Sequence, residues 1–326
     1  MKKTTMPLVA MIGLGAAGLL AGCKKAPPPR TKGTIALSVL TMTNPFFKEI
    51  ADSMTDEAAK HGYGVIVASG EFDVAKQQDQ VKDFLVGKVT AIVLTPCDSK
   101  SIGPAIKEAN AAGIPVFTAD IACLAPGAKV VTHIATDNYG GGKLAAVAIV
   151  EALKKRGEAK GDIAILDHPE IESVILRTKG FREQLAEENK KPDVDLKIVK
   201  QLPGGGAREK SQKTMQDILA AHRDLKGVFA INDPSALGAV AALEAAGKAD
   251  QVVVIGFDGQ PQGKQYIKEG KIYADPIQFP DKIGRMTVQA ILRHLRGEEL
   301  PKEILIDTAL YRKADADRDP SLKSPK

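Results

Sequence analysis

Asn44, Phe46 and Phe47 stand together in the run T-I-A-L-S-V-L-T-M-T-N-P-F-F at positions 34–47. An amide offers a small polar ligand both a donor and an acceptor, and two adjacent rings offer flat apolar faces. The β-branched, apolar first half of the run reads as a buried parallel strand. Pro45 suits the first position of a following helix, where its missing N–H costs nothing. A polar side chain beside aromatic faces at the carboxyl end of a strand is where open α/β sheets bind small ligands. The alternative is that both rings are core residues opening an amphipathic helix, with Phe47, Ile50, Met54 and Ala58 at helical spacing.

Other patterns with chemical potential fail on context. Gly13-Leu14-Gly15-Ala16-Ala17-Gly18 fits G-x-G-x-x-G, but the first acidic residue of the chain is Glu49 and a Lys-Lys-Ala-Pro-Pro-Pro segment intervenes. A nicotinamide cofactor is therefore not supported. Gly142-Lys143 lacks the glycine a P-loop needs, having Asp137 there, and Leu144 replaces its Ser/Thr. The histidines (His61, His133, His168, His222, His294) are scattered, with no H-E-x-x-H and no nucleophile elbow, and Asp167-His168 reads as an ordinary loop. No catalytic constellation, metal site or cofactor is expected. Three cysteines, Cys23, Cys97 and Cys123, cannot build a disulfide framework.

The elements that position these residues begin after a leader. Lys2 and Lys3, an apolar run over 8–20 and the ending Leu20-Ala21-Gly22-Cys23 read as a secretory signal peptide over 1–22. The ending resembles the bacterial lipobox, which implies cleavage before Cys23, lipidation of its thiol and a mature protein tethered outside the cytoplasm. Residues 23–33, basic and proline-rich, read as the spacer behind the anchor. The formal charge of +5 falls by two with Lys2 and Lys3, too small and scattered an excess for nucleic acid.

From 34 onward, short apolar runs alternate with helical patterns. Strands are expected at 35–40, 65–68, 91–94, 115–118, 130–135, 163–166, 194–199, 227–231, 252–255 and 272–274. Helices are expected at 46–61, 74–86, 140–155, 172–188, 210–222 and 235–246. Such alternation implies doubly wound parallel sheets with helices on both faces, and about ten units exceed one ordinary sheet. The split falls near 136–138. The tail 314–326 is polar and reads as disordered.

The residues also resemble a family. Asn44-Pro45-Phe46-Phe47, Thr95-Pro96-Cys97-Asp98-Ser99, Ile114-Pro115-Val116 with Asp120, and His133-Ile134-Ala135-Thr136-Asp137-Asn138 recur in its order. So do Phe229-Ala230-Ile231-Asn232-Asp233 with Ala236-Leu237-Gly238, Gly256-Phe257-Asp258-Gly259, and Gln278-Phe279-Pro280. The pattern looks like the periplasmic ribose-binding-protein group, sugar receptors of ABC importers, from 34 to about 312. The resemblance implies two similar α/β lobes joined by a three-strand hinge (periplasmic binding protein type I). The amino-terminal lobe would combine 34–136 with 279–307, and the carboxy-terminal lobe 137–278 with 308–313.

It also implies sugar ligands: Asn44, Phe46, Phe47 and Asp120 from the first lobe, and Arg177, Asn232, Asp258 and Gln278 from the second lobe and hinge. Carboxylates suit adjacent hydroxyl pairs, and rings suit the C–H faces of a pyranose. Taken singly, Asp258 and Asn232 also read as helix or turn caps, and Arg177 as a surface helix residue. Departures bear on specificity. Ile121 stands where ribose binders have an arginine, Leu40 replaces a serine, Thr95 an asparagine, and a second-lobe aromatic falls in Gly204-Gly205-Gly206. That leaves stacking to one side of the site, and points to a related aldose or polyol rather than to ribose itself. Cys97 and Cys123 follow neighbouring first-lobe strands, and the compartment permits a disulfide between them; free buried thiols are the alternative.

The expected function is thus a monomeric, lipid-anchored, extracytoplasmic binding protein. It closes on a monosaccharide or polyol by hinge motion and docks on a membrane ABC permease. The same module serving a chemotaxis or sensor-kinase receptor is the alternative. A repressor would need a helix-turn-helix where the leader and spacer stand.

Overall fold

The computed structural model describes residues 32–322 and Met1. The leader, Cys23 and most of the spacer, with the expectations attached to them, lie outside the described residues. In chain order the elements are β1 (Gly33–Val39), α1 (Pro45–Lys60), β2 (Tyr63–Ser69), α2 (Val74–Val86), β3 (Ala91–Leu94), α3 (Gly103–Ala111), β4 (Val116–Ala119) and β5 (His133–Thr136). They continue with α4 (Asn138–Lys155), β6 (Lys160–Asp167), α5 (Glu172–Glu188), β7 (Asp195–Pro203), α6 (Arg208–Ala221), β8 (Gly227–Ala230), α7 (Asp233–Ala245), β9 (Val253–Ile255), α8 (Pro261–Lys268) and β10 (Ala274–Ile277). Last come α9 (Pro280–Leu295), β11 (Glu303–Ile306), β12 (Ala309–Arg312) and α10 (Lys313–Arg318).

Two six-stranded sheets result, ordered β2-β1-β3-β4-β5-β11 and β7-β6-β8-β9-β10-β12. Pairing is parallel except where β12 runs antiparallel to β10. The chain passes from one sheet to the other three times, after β5, after β10 and after β11. The two-lobed, doubly wound α/β class expected from the alternation is the one observed.

The run at 34–47 shows why the pattern is so readable. Ile35, Leu37 and Val39 face one core with Phe47, Ile50 and Met54, while Ala36 faces a second core with Ile92 and Leu94. A strand covered on both faces has no polar side to show, hence its continuous apolar run. Asn44 then caps α1 by accepting from Phe46 N at 3.0 Å, with Pro45 opening the helix.

Two expectations are corrected. The tail read as disordered starts with a helix, α10: Arg312 N donates to Asp315 Oδ2 at 3.0 Å, and Ala316 is fully buried. One buried alanine beside an exposed Ala314 and four charged residues gives no periodic signal. Gly33, assigned to the spacer, is the first residue of β1. Of the two readings left open for Cys97 and Cys123, free thiols are the one found among the described residues. Cys97 sits in the core that holds β1's Leu37, its Sγ 3.7 Å from the Leu40 carbonyl, whereas Cys123 packs against the core on the other face of that sheet.

Candidate functional site: an interlobe cleft

Helices α4 and α5 set the position of Arg177, which lines the cleft. A Cβ on Gly142 of α4 would lie 2.0 Å from the Arg177 carbonyl oxygen, and one on Gly180 of α5 would lie 2.1 Å from the Tyr139 carbonyl oxygen. The two backbones therefore meet at glycines, and Gly142, met above as a failed P-loop residue, is a packing residue. This contact carries Arg177 inward, where only 3% of it is exposed. Its Nε donates to Asn138 Oδ1 (2.8 Å), and its Nη1 donates to the Ile231 carbonyl (2.7 Å) and Asp258 Oδ1 (3.2 Å). The guanidinium lies 3.8 Å from the centroid of the Phe257 ring. The surface-helix reading of Arg177 is thereby excluded.

Asp258 occupies the turn between β9 and α8 at φ +102°, a left-handed conformation that a β-carbon ordinarily avoids. Backbone bonds hold it there. Asp258 N donates to the Pro276 carbonyl at 3.1 Å, and Gln278 N donates to the Asp258 carbonyl at 2.8 Å. Gln278 Nε2 also donates to Asp258 Oδ1 at 2.6 Å. Asp258 and the residue following β10 are thus one bonded unit at a point where the chain changes sheets.

Asp120, just after β4, is a second left-handed aspartate (φ +63°), fixed by its N–H on the Ile134 carbonyl at 2.8 Å. Its Oδ1 is buried without a partner among the described residues, as is Gln278 Oε1. Burial holds the Asp120 acid up to about 7; Arg177 opposes the rise, while Asp258 and Glu172 add to it. A buried acceptor lacking a donor costs about 1–3 kcal/mol. A ligand rich in hydroxyl donors removes that cost at both atoms.

All eight expected ligand positions line one cleft. Asn44, Phe46, Phe47 and Asp120 come from one lobe, and Arg177, Asn232, Asp258 and Gln278 from the other lobe and the connections between them. For three of these the alternative readings hold as well. Phe46 and Phe47 are 2% and 5% exposed, packed edge to face at 5.4 Å, and belong to the core while lining the cleft. Asn232 does cap α7, accepting from Ser235 N at 2.9 Å, and its Nδ2 donates to the Gly206 carbonyl at 3.1 Å.

Of the departures noted in sequence, Ile121, Leu40 and Gly206 line the cleft. Thr95 supports it from behind: fully buried, its Oγ1 accepts from Leu40 N at 2.7 Å. Sequence reasoning missed Phe72, His168, Ile171 and Val174 at the cleft. Asp167-His168 was noticed but assigned to a loop, and nothing near Phe72 is periodic. The lobes touch beside these residues. Ser99 N donates to the Glu170 carbonyl (3.1 Å), Glu172 N donates to Ser99 Oγ (2.9 Å), and the Phe72 and His168 rings lie 6.4 Å apart.

Two sheets of this topology with a polar cleft between them define a two-lobed α/β binding protein. The chain belongs to the periplasmic binding protein domain family, which matches residues 35–299. It is 38% identical to the ribose import binding protein of Salmonella typhimurium over 279 residues, 86% of this chain and 90% of the relative. Among solved structures it is similar to an ABC transporter periplasmic solute binding protein from Actinobacillus succinogenes with bound D-allose. That match has a TM-score of 0.79 and 30% identity, covering 88% of this chain and all of the other. An ABC transporter solute binding protein from Agrobacterium vitis with bound alpha-D-tagatopyranose matches at TM-score 0.81 and 25% identity, over 89% and 97% of the two chains. The resemblance to ribose-binding-protein-like receptors of ABC importers read from the motifs is therefore correct.

Proposed function

We propose that this protein is the extracytoplasmic receptor of an ABC importer and binds an aldose or related polyol between its lobes. The observation that carries the reading is the pair of buried, donorless acceptors, Asp120 Oδ1 and Gln278 Oε1, in the same cleft as the bonded Arg177–Asp258 pair. Such a site asks for several hydroxyl donors in a small volume. Ligand closure of the hinge then presents both lobes to the permease. The relatives bind ribose, D-allose and tagatopyranose, so this cleft architecture accommodates several monosaccharides, and Ile121 and Leu40 favour an aldose or polyol other than ribose. The receptor acts without catalysis. The L-A-G-C ending at 20–23 supports a lipid on Cys23 and a tether outside the cytoplasm.

A thermal-shift panel of aldoses, ketoses, inositols and nucleosides on protein starting at Lys32 tests the ligand class, because a ligand of the folded state raises the melting temperature by mass action. At least one sugar or polyol should shift it; shifts by nucleosides alone would reject the reading. For the anchor, Cys23→Ala should move the full-length chain from the membrane fraction to the soluble one, and an unchanged distribution would reject it.

A further inference from the structure

We propose that His168 and Phe72, one from each lobe, form a second ring wall of the sugar site, the imidazole taking the space that a side chain at position 206 would fill. This rests on the sugar-receptor reading and adds to it two residues that touch the ligand.

The first observation concerns Gly206. Its φ of +65° disfavours any side chain, and a Cβ there would lie 3.2 Å from both His168 Nδ1 and Asn232 Nδ2. The second-lobe ring missing from the glycine run is thus replaced in space by a ring from a different loop. That loop is anchored to the glycine run through one residue. Asp167 Oδ1 accepts from His168 N at 2.8 Å, Asp167 Oδ2 accepts from Gln201 Nε2 at 2.5 Å, and the Asp167 carbonyl accepts from Gly204 N at 2.9 Å and Gly205 N at 3.2 Å. The His168 side chain is 14% exposed, and burial depresses its proton affinity, so it meets a ligand as a neutral ring.

Phe72 comes from the first lobe on a strained turn. Glu71 and Phe72 are consecutive left-handed residues at φ +53° and +61°. The turn is held by Phe72 N on the Leu40 carbonyl (3.1 Å) and by the Glu71 carboxylate accepting from Ser69 and Thr41. Strain of this kind persists where surrounding structure enforces it, and it clusters at ligand clamps. The phenyl ring, 39% exposed at the cleft mouth, lies 6.4 Å from the imidazole at 43°. Because the two rings ride on different lobes, they flank a ligand together only when the lobes are closed. Their loss should therefore act mainly by speeding release.

The test is titration calorimetry of the wild-type chain and of His168→Ala, Phe72→Ala and His168→Phe with D-ribose, D-allose, D-arabinose and myo-inositol. Unliganded melting temperatures serve as the control for folding. Each alanine variant should weaken the best-bound member of the panel by about tenfold or more, with His168→Phe recovering most of the loss. Unchanged affinity in both alanine variants would overturn the second wall while leaving the sugar site standing. Should His168→Ala fail to fold, Phe72→Ala, at the exposed rim, decides alone. A wild-type chain that binds no member of the panel and no other sugar overturns the site reading and the wall together.

Discussion

Arg177 Nη1 lies 3.2 Å from Asp258 Oδ1, and the two side chains are 4% and 3% exposed. Neither charge has water to fall back on, so each depends on the other and on shared neighbours, Asn138 and the Ile231 carbonyl for the arginine and Gln278 for the aspartate. Removing one member of such a pair costs about 3–5 kcal/mol, because the other is left buried and unpaired. Asp258→Ala should therefore lower unfolding stability by that order and abolish sugar binding. Asp258→Asn keeps the shape and an acceptor for Gln278, so it should unfold less readily than the alanine variant while still binding sugar at least about tenfold more weakly than wild type. Denaturant unfolding and titration calorimetry on the same samples separate the two effects.

Asp120 predicts a pH dependence of stability. Its acid is held up to about 7, above the ordinary 3.8, chiefly by burial. Between those values the unfolded chain releases a proton that the folded chain keeps, so unliganded stability falls as pH rises from about 4 through 7 and then levels off. Asp275, also held up to about 7 by burial, acts in the same direction. Glu151, held down to about 2 with help from Lys155 and Arg312, acts oppositely with a contribution complete by about pH 5, and His133, held down to about 4 by burial, acts oppositely up to about pH 6.5, so the difference between wild type and Asp120→Asn isolates the Asp120 contribution. Asp120→Asn should flatten the decline and raise the melting temperature at pH 8, yet weaken sugar binding. Melting curves from pH 5 to 8 check the sign.

Sugar hydroxyls that donate to Asp120 favour its carboxylate form, so affinity in the wild type should rise between about pH 6 and 8 with proton release on binding. Calorimetry in two buffers of different ionisation enthalpy measures that proton. Pairing it with Asp120→Asn, which should release none, assigns it.

The glycine contact between α4 and α5 predicts that Gly180→Ala is disruptive although alanine is the better helix former. Its Cβ would meet the Tyr139 carbonyl at 2.1 Å, and forced overpacking costs about 1–3 kcal/mol. Since α5 carries Arg177, affinity should fall with stability. Gly157→Ala offers the control of an open glycine: a Cβ there has no neighbour within 4 Å, although φ is +71°.

Much of this architecture is legible in the sequence, for a stated physical reason. Strand β3 and helices α2 and α5 fall at the expected bounds because burial on both faces, or on one regular stripe, writes itself into apolar periodicity. Strands β11 and β12 were invisible: both are edge strands of four residues, and Leu305 is 47% exposed, so no hydrophobic pattern marks them. In the cleft, the motif residues were legible one by one as parts of a family pattern. Phe72 and His168 were not, because their meeting depends on two loops from different lobes closing on each other. Neither loop has a local period to report it.

The thiols give a separate check. Cys97, whose thiol burial holds up to about 12, should resist a thiol reagent in the native protein, while the half-buried Cys123 reacts first; both should react in denaturant without prior reduction. A requirement for reductant would restore the disulfide.

The central claim is that the cleft binds one small polyhydroxylated molecule through the Asp120, Arg177, Asp258 and Gln278 set. Titration calorimetry of the chain from Lys32 with a panel of aldoses and polyols, run beside Asp258→Ala, tests it directly. Saturable binding of at least one sugar at one site per chain, lost in the variant, is the predicted result. Absence of binding by every sugar and polyol, or undiminished binding in Asp258→Ala, would contradict it.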